Sequence, residues 1–134
     1  MKIRIDALDK PPPHALTISE VKAVLAIVPA EWKRFVSVVR LSAEMPDFSR
    51  FGRPVTLVST RLTICSRGMS SETAYKEVLR ELAVTGLGIH LRMVHRLSKA
   101  DLQKVDQSIT PFLEQLSAEA NNSEAQQDAA SDSV

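Results

Sequence analysis

Of this 134-residue chain, the stretch from Ser70 to Leu91, SSETAYKEVLRELAVTGLGIHL, restricts the fold most. Tyr75, Val78, Leu79, Leu82 and Gly86 recur at helical spacing. The segment from Ser71 to about Val84 is therefore expected to be an amphipathic helix with one apolar face that needs a sheet beneath it. Gly86-Leu87-Gly88 forms the exit, which runs on to His90. Arg80, Glu81 and Val84 lie on the flank of that face.

Before this helix, Thr17-Ile18-Ser19-Glu20 reads as a capping box, and Ile18, Val21, Val24, Leu25 and Val28 follow as an apolar stripe that Pro29 stops. Pro29 to Trp32 is a short turn or helical step anchored by Trp32. Phe35 to Leu41 is rich in β-branched residues and predicts a strand. Val55 to Cys65 predicts one or two strands, with the bend at Ser59-Thr60-Arg61. Between these strands lies an irregular segment from Ser42 to Pro54, in which Phe48 and Phe51 either fold back on the core or line a groove. Lys2 to Ile5 alternates and is compatible with a short edge strand, but the chain then meets Pro11, Pro12 and Pro13. Residues 1–15 are therefore read as an extended leader.

Beyond the central helix, residues 89–97 are compatible with helix or strand. Ser98 to Asp101 resembles a cap ahead of Leu102, Val105 and Ile109, and Thr110-Pro111 reads as a second N-cap before Phe112, Leu113 and Leu116. From Ser117 the chain is Ala, Ser, Asn, Gln and acid, which predicts a disordered tail. The expectation is an α+β fold. It has a small sheet of about three strands packed against the central helix, with an N-terminal helix and C-terminal helices, in a single domain over 16–116 and an acidic tail over 117–134.

Composition narrows the function. Net charge is +1, but four of the 16 acidic residues lie from Ser117 onward, where no basic residue occurs. The body therefore has 17 basic against 12 acidic side chains, a charge of +5 that favours an acidic partner. Those basic residues are scattered and have no interleaved aromatics, so nucleic acid is an unlikely partner. No apolar run is long enough to span a bilayer, so no membrane partner is expected. MKIRIDALDK has charges throughout and no apolar core, so it is not expected to be a secretory signal. Cys65 is the single cysteine, which excludes an internal disulfide and fits a reducing compartment; a cytoplasmic location is expected.

The element order and the run Arg80-Glu81-Leu82-Ala83-Val84, with His90 six residues on, resemble the zincin-like metallopeptidases. In that family the helix carries H-E-x-x-H, two histidines one turn apart that bind zinc and a glutamate that activates the metal-bound water. Glu81 matches the glutamate and His90 the third ligand of the longer form of the motif. Arg80 and Val84 stand where the first two histidines belong. Arginine is a permanent cation and valine has no lone pair, so the resemblance implies a degenerate member that has lost its metal. Glu81 would be a vestigial general base.

The leading reading is a non-catalytic zincin-like domain, a protein- or peptide-binding or regulatory module without a cofactor. Its cleft candidates are Arg80, Glu81, His90, Thr63, Phe48 and Phe51, with an extended peptide adding along Thr60 to Ile64 as a sheet edge. One alternative is a divergent metal-dependent hydrolase, which requires a stoichiometric zinc held with the help of His90 and His95. The other is a nucleic-acid-associated accessory protein.

Overall fold

Alternation within four short strands decides the architecture. In the computed structural model, which describes residues 1–48, 53–89 and 97–132 (side chains of Phe48 and 120–132 excepted), the strands are β1 (Lys2–Ile5), β2 (Val38–Leu41), β3 (Val55–Val58) and β4 (Arg61–Ile64). They form one sheet in the order β1-β2-β4-β3, with β1, β2 and β4 parallel and β3 antiparallel to β4. The register aligns Ile3 with Val39 and Leu62, and Ile5 with Leu41 and Ile64. Because side chains alternate across a strand, every one of these apolar residues lies on the same face.

That face takes the four α-helices. They are α1 (Ile18–Ile27), α2 (Ala30–Lys33), α3 (Ser71–Gly86) and α4 (Lys99–Asp132). Val39, Leu41, Leu62 and Ile64 from the sheet meet Val24, Val78, Leu79, Leu82, Val105 and Ile109 in one buried cluster. Each such side chain contributes about 1.5–3 kcal/mol on leaving water. The capping box of α1 forms as expected: Thr17 Oγ1 accepts from Glu20 N at 3.1 Å, and Glu20 Oε1 accepts from Thr17 N at 3.0 Å. Ser70 caps α3 by accepting from Thr73 N.

Four expectations change. The sheet has four strands, because Lys2–Ile5 pairs along β2 and is β1 of the domain instead of a leader. The prolines after it are held to the body by Arg67, whose guanidinium donates to the carbonyls of Lys10, Pro12 and Ala43. The expected bend at Ser59-Thr60 is a two-residue hairpin turn with Ser59 at φ 55°, so β4 gains β3 as a neighbour and is internal, not an edge. Finally, Thr110-Pro111 does not begin a new helix. Val105, Ile109, Phe112 and Leu116 form one stripe across Pro111, and packing that stripe outweighs the roughly 3 kcal/mol that an interior proline costs. Helix α4 continues through Asp132, across the segment whose composition predicts a disordered tail.

Gly86 marks the closest approach between helices. A Cβ there would lie 1.9 Å from Trp32 Cδ1, and Trp32 in turn meets Phe112 edge-on at 5.1 Å. Alanine normally stabilises a helix relative to glycine by about 1 kcal/mol. Here the overlap with a buried indole outweighs that gain, because overpacking a core costs about 1–3 kcal/mol or more. Gly86→Ala is expected to lower the denaturation midpoint in urea by a net ~1–2 kcal/mol equivalent; an unchanged or raised midpoint would refute this packing.

Candidate functional site

Arg80 and Glu81 are neighbours in sequence, but about 100° separates successive positions of a helix, so they serve different sides of α3. Arg80 turns to α4, where Nε and Nη2 donate to the two carboxylate oxygens of Asp106 at 2.9 and 3.0 Å. Both partners are partly exposed, so this bidentate pair is worth at most about 1 kcal/mol. Glu81 turns to the outer edge of β3 and is 8% exposed. Its Oε1 accepts from the backbone amide of Leu57 at 2.8 Å, and its Oε2 from Arg53 Nη1 at 2.8 Å. In an antiparallel edge strand alternate amides point away from the neighbour. Glu81 satisfies one of these on β3, and does so in place of an added peptide strand.

Burial pushes the Glu81 carboxyl above the ordinary carboxylate range, against the opposing pull of the Leu57 amide and Arg53. Val84, at the second histidine position, is 8% exposed and belongs to the core. The three motif positions in α3 are thus a link to α4, a link to β3 and a core side chain. Among the described residues no group of three or more His, Cys, Asp or Glu could hold a metal. His90, His95, Phe51 and the side chain of Phe48 lie outside the described residues.

Thr63 is not part of the α3 side. It belongs to β4, whose Leu62 and Ile64 face the helices, so Thr63 and Arg61 project from the opposite face of the sheet. The proposed peptide edge along Thr60 to Ile64 is therefore corrected: β2 and β3 flank β4 on both sides.

The face that carries Thr63 is the one opposite the four α-helices. The register puts Lys2, Val38, Arg61 and Val58 in one row across the four strands, and Arg4, Arg40, Thr63 and Thr56 in the next. Four of these eight side chains are cations and none is an acid. Adjacent strands lie ~4.8 Å apart and the rows ~6.7 Å apart, so the four charges share a patch about 10 Å by 7 Å. Arg40 is oriented by Asp6, which accepts from Nε at 3.1 Å and from Nη2 at 2.9 Å and also from the amide of Ala43. The Arg40 guanidinium is the main cause that holds the Asp6 carboxyl below its usual range. Toward β3 the face deepens into a groove of about 530 Å³, lined by Arg40, Arg53, Arg61, Thr56, Thr63 and Glu44.

Sequence reasoning singled out Thr63 on this face and included Arg61 only within the stretch Thr60 to Ile64; it missed Lys2, Arg4 and Arg40. The signal was present: KIRI, VVRL and RLTI each alternate apolar residues with basic or hydroxyl ones. It becomes visible only when the three are laid in register. Comparison with protein families, with curated proteins and with solved structures finds no match to this chain.

The raised Glu81 carboxyl sets a pH dependence with a definite sign. A carboxyl whose folded pKa exceeds its unfolded value binds protons more tightly when folded. Its contribution to stability is therefore greatest at low pH and falls as pH rises from the ordinary glutamate range through the folded pKa. Glu81→Gln removes this titration. Urea unfolding of the two proteins between pH 4.5 and 7 is expected to show wild type losing stability relative to Glu81→Gln as pH rises; the opposite slope would overturn the assignment.

Proposed function

We propose that this chain is a non-catalytic binding module of zincin-like descent that takes an acidic protein or peptide segment on the cationic face of its sheet. The observation that carries the reading is the patch of Lys2, Arg4, Arg40 and Arg61, four cations among eight outward strand side chains, beside which Asp6 pairs with Arg40 and Glu44 lines the groove. Such a patch attracts acidic segments and speeds their encounter. None of the eight side chains is aromatic, so the stacking platform on which single-stranded nucleic acids rest is missing from these strands.

The zincin-like descent is supported by the placement of α3 against an antiparallel edge strand with Glu81 facing that strand. Loss of catalysis and of zinc is supported by Arg80, Glu81 and Val84, each engaged in holding the fold together. A cytoplasmic setting accords with a single cysteine, buried and unpaired. No helix among the described residues is long and apolar enough to cross a membrane.

Binding of a fluorescent oligoglutamate peptide tests the reading. Affinity is expected to fall at least about tenfold between roughly 0.05 and 0.3 M salt. Arg4→Glu and Arg61→Glu should each weaken it by about tenfold, equivalent to ~1.4 kcal/mol. Lys22→Glu, on the exposed side of α1, makes the same change in net charge and should leave affinity within about twofold. Equal losses for all three variants, or tighter binding of a single-stranded oligonucleotide than of the peptide, would contradict the proposal.

A further inference from the structure

The two edges of the sheet differ. At β3 the outward amide of Leu57 is taken by Glu81. At β1 the ladder with β2 uses the amides of alternate residues: Lys2 N donates to Ser37 O at 3.1 Å and Asp6 N to Leu41 O at 2.9 Å. Ile3 and Ile5 have the opposite parity, so their amides and carbonyls point away from β2, toward the outer side of β1. None of the described residues accepts from the Ile3 or Ile5 amide. A row of unpaired backbone groups of this kind is a template for a further strand.

What lies on either side of that edge specifies the strand. On the cationic face Lys2 and Arg4 are exposed, and among the described residues neither makes an ion pair. On the helix face Ile5 is 44% exposed. It borders a shallow cleft of about 480 Å³ between β1 and the start of α1, whose other walls include Leu8, Pro13, Leu16 and Ile18. His14, also in the wall, is held by donating from Nε2 to the Asp6 carbonyl at 2.8 Å. In an added strand, side chains beside Lys2 and Arg4 share the cationic face, and those beside Ile3 and Ile5 share the side of the cleft. Opposite charges across a strand pair attract and like charges repel. The β1 of a second copy is a poor match, because pairing about Ile3 sets Lys2 of one copy against Arg4 of the other. Building on the assignment of the cationic face as the binding surface, we infer that the acidic segment enters as a fifth strand along β1, its acidic residues alternating with apolar ones. The acids meet Lys2 and Arg4, an apolar side chain fills the cleft beside Ile5, and the backbone bonds to Ile3 and Ile5.

A fluorescent peptide of alternating Glu and Val tests this against a peptide of the same composition with its glutamates and valines in two blocks. At low salt the alternating peptide is expected to bind at least about tenfold tighter. Amide hydrogen exchange followed by NMR then locates it. Saturating alternating peptide should slow exchange at Ile3 and Ile5 by about tenfold or more, while Arg4, already bonded within the ladder, changes less. Equal binding of the two peptides, or unchanged exchange at Ile3 and Ile5 in the bound protein, would overturn the inference. So would slowing that rises with protein concentration in the absence of peptide, which would make a second copy the occupant. The oligoglutamate assay separates this inference from the reading it rests on. If Arg4 and Arg61 still govern oligoglutamate binding while Ile3 and Ile5 exchange unchanged, only the strand addition fails. If oligoglutamate ignores the two arginines, the assignment of the face fails as well.

Discussion

The structure rests on one constraint: the core-forming apolar residues of the strands point the same way, with Val38 and Val58 on the opposite face. Ile3, Val39, Leu41, Leu62 and Ile64 share a face because the register aligns Ile3 with Val39 and Leu62, and Leu41 with Ile64, two residues further along. A shift by one residue in β1, β2 or β4 would send its apolar set to the other side and bring arginine or lysine into the core. The helices therefore have one place to go, and they stack in a single layer. The opposite side is left to Lys2, Arg4, Arg40, Arg61 and their hydroxyl neighbours. Core and cationic surface are two consequences of the same alternation.

The edge of the sheet is controlled separately. Antiparallel β3 ends the sheet beside α3, and an edge strand with free amides invites another strand. Glu81 meets the Leu57 amide there, and Arg53 balances its charge. A buried carboxylate is a costly way to satisfy one amide, as its upward-shifted pKa indicates. It also closes the space between helix and strand, where the zincin resemblance would place a substrate. Glu81 thus ties α3 to β3 and belongs to the fold, while the cationic side chains lie on the other side of the sheet.

Much of the fold was legible in the sequence, and for identifiable reasons. The capping box at Thr17, the stripe from Tyr75 to Leu82 and the Ser59-Thr60 turn are local signals, and each lies where its chemistry requires. Lys2–Ile5 was harder to assign because four residues followed by three prolines do not declare a strand until β2 is there to pair with them. Pro111 misled because its local preference for a helix start is weaker than the packing of Ile109 and Phe112 on either side of it. The site was less legible still. Arg80 and Glu81 attract notice through their motif, but their roles depend on Asp106, Leu57 and Arg53, which lie 24 to 28 residues away. The cationic face is assembled from three segments, none of which is unusually basic alone.

The measurement closest to the central claim is a backbone amide NMR titration of the protein with oligoglutamate at low salt. The account predicts that chemical shift changes concentrate on β1, β2 and β4, at Lys2 to Arg4, Val38 to Arg40 and Arg61 to Thr63, while Glu77 to Val84 of α3 stay in place. Changes concentrated along α3 would put the binding surface back in the cleft between helix and edge strand, and would contradict the claim that Glu81 has closed it.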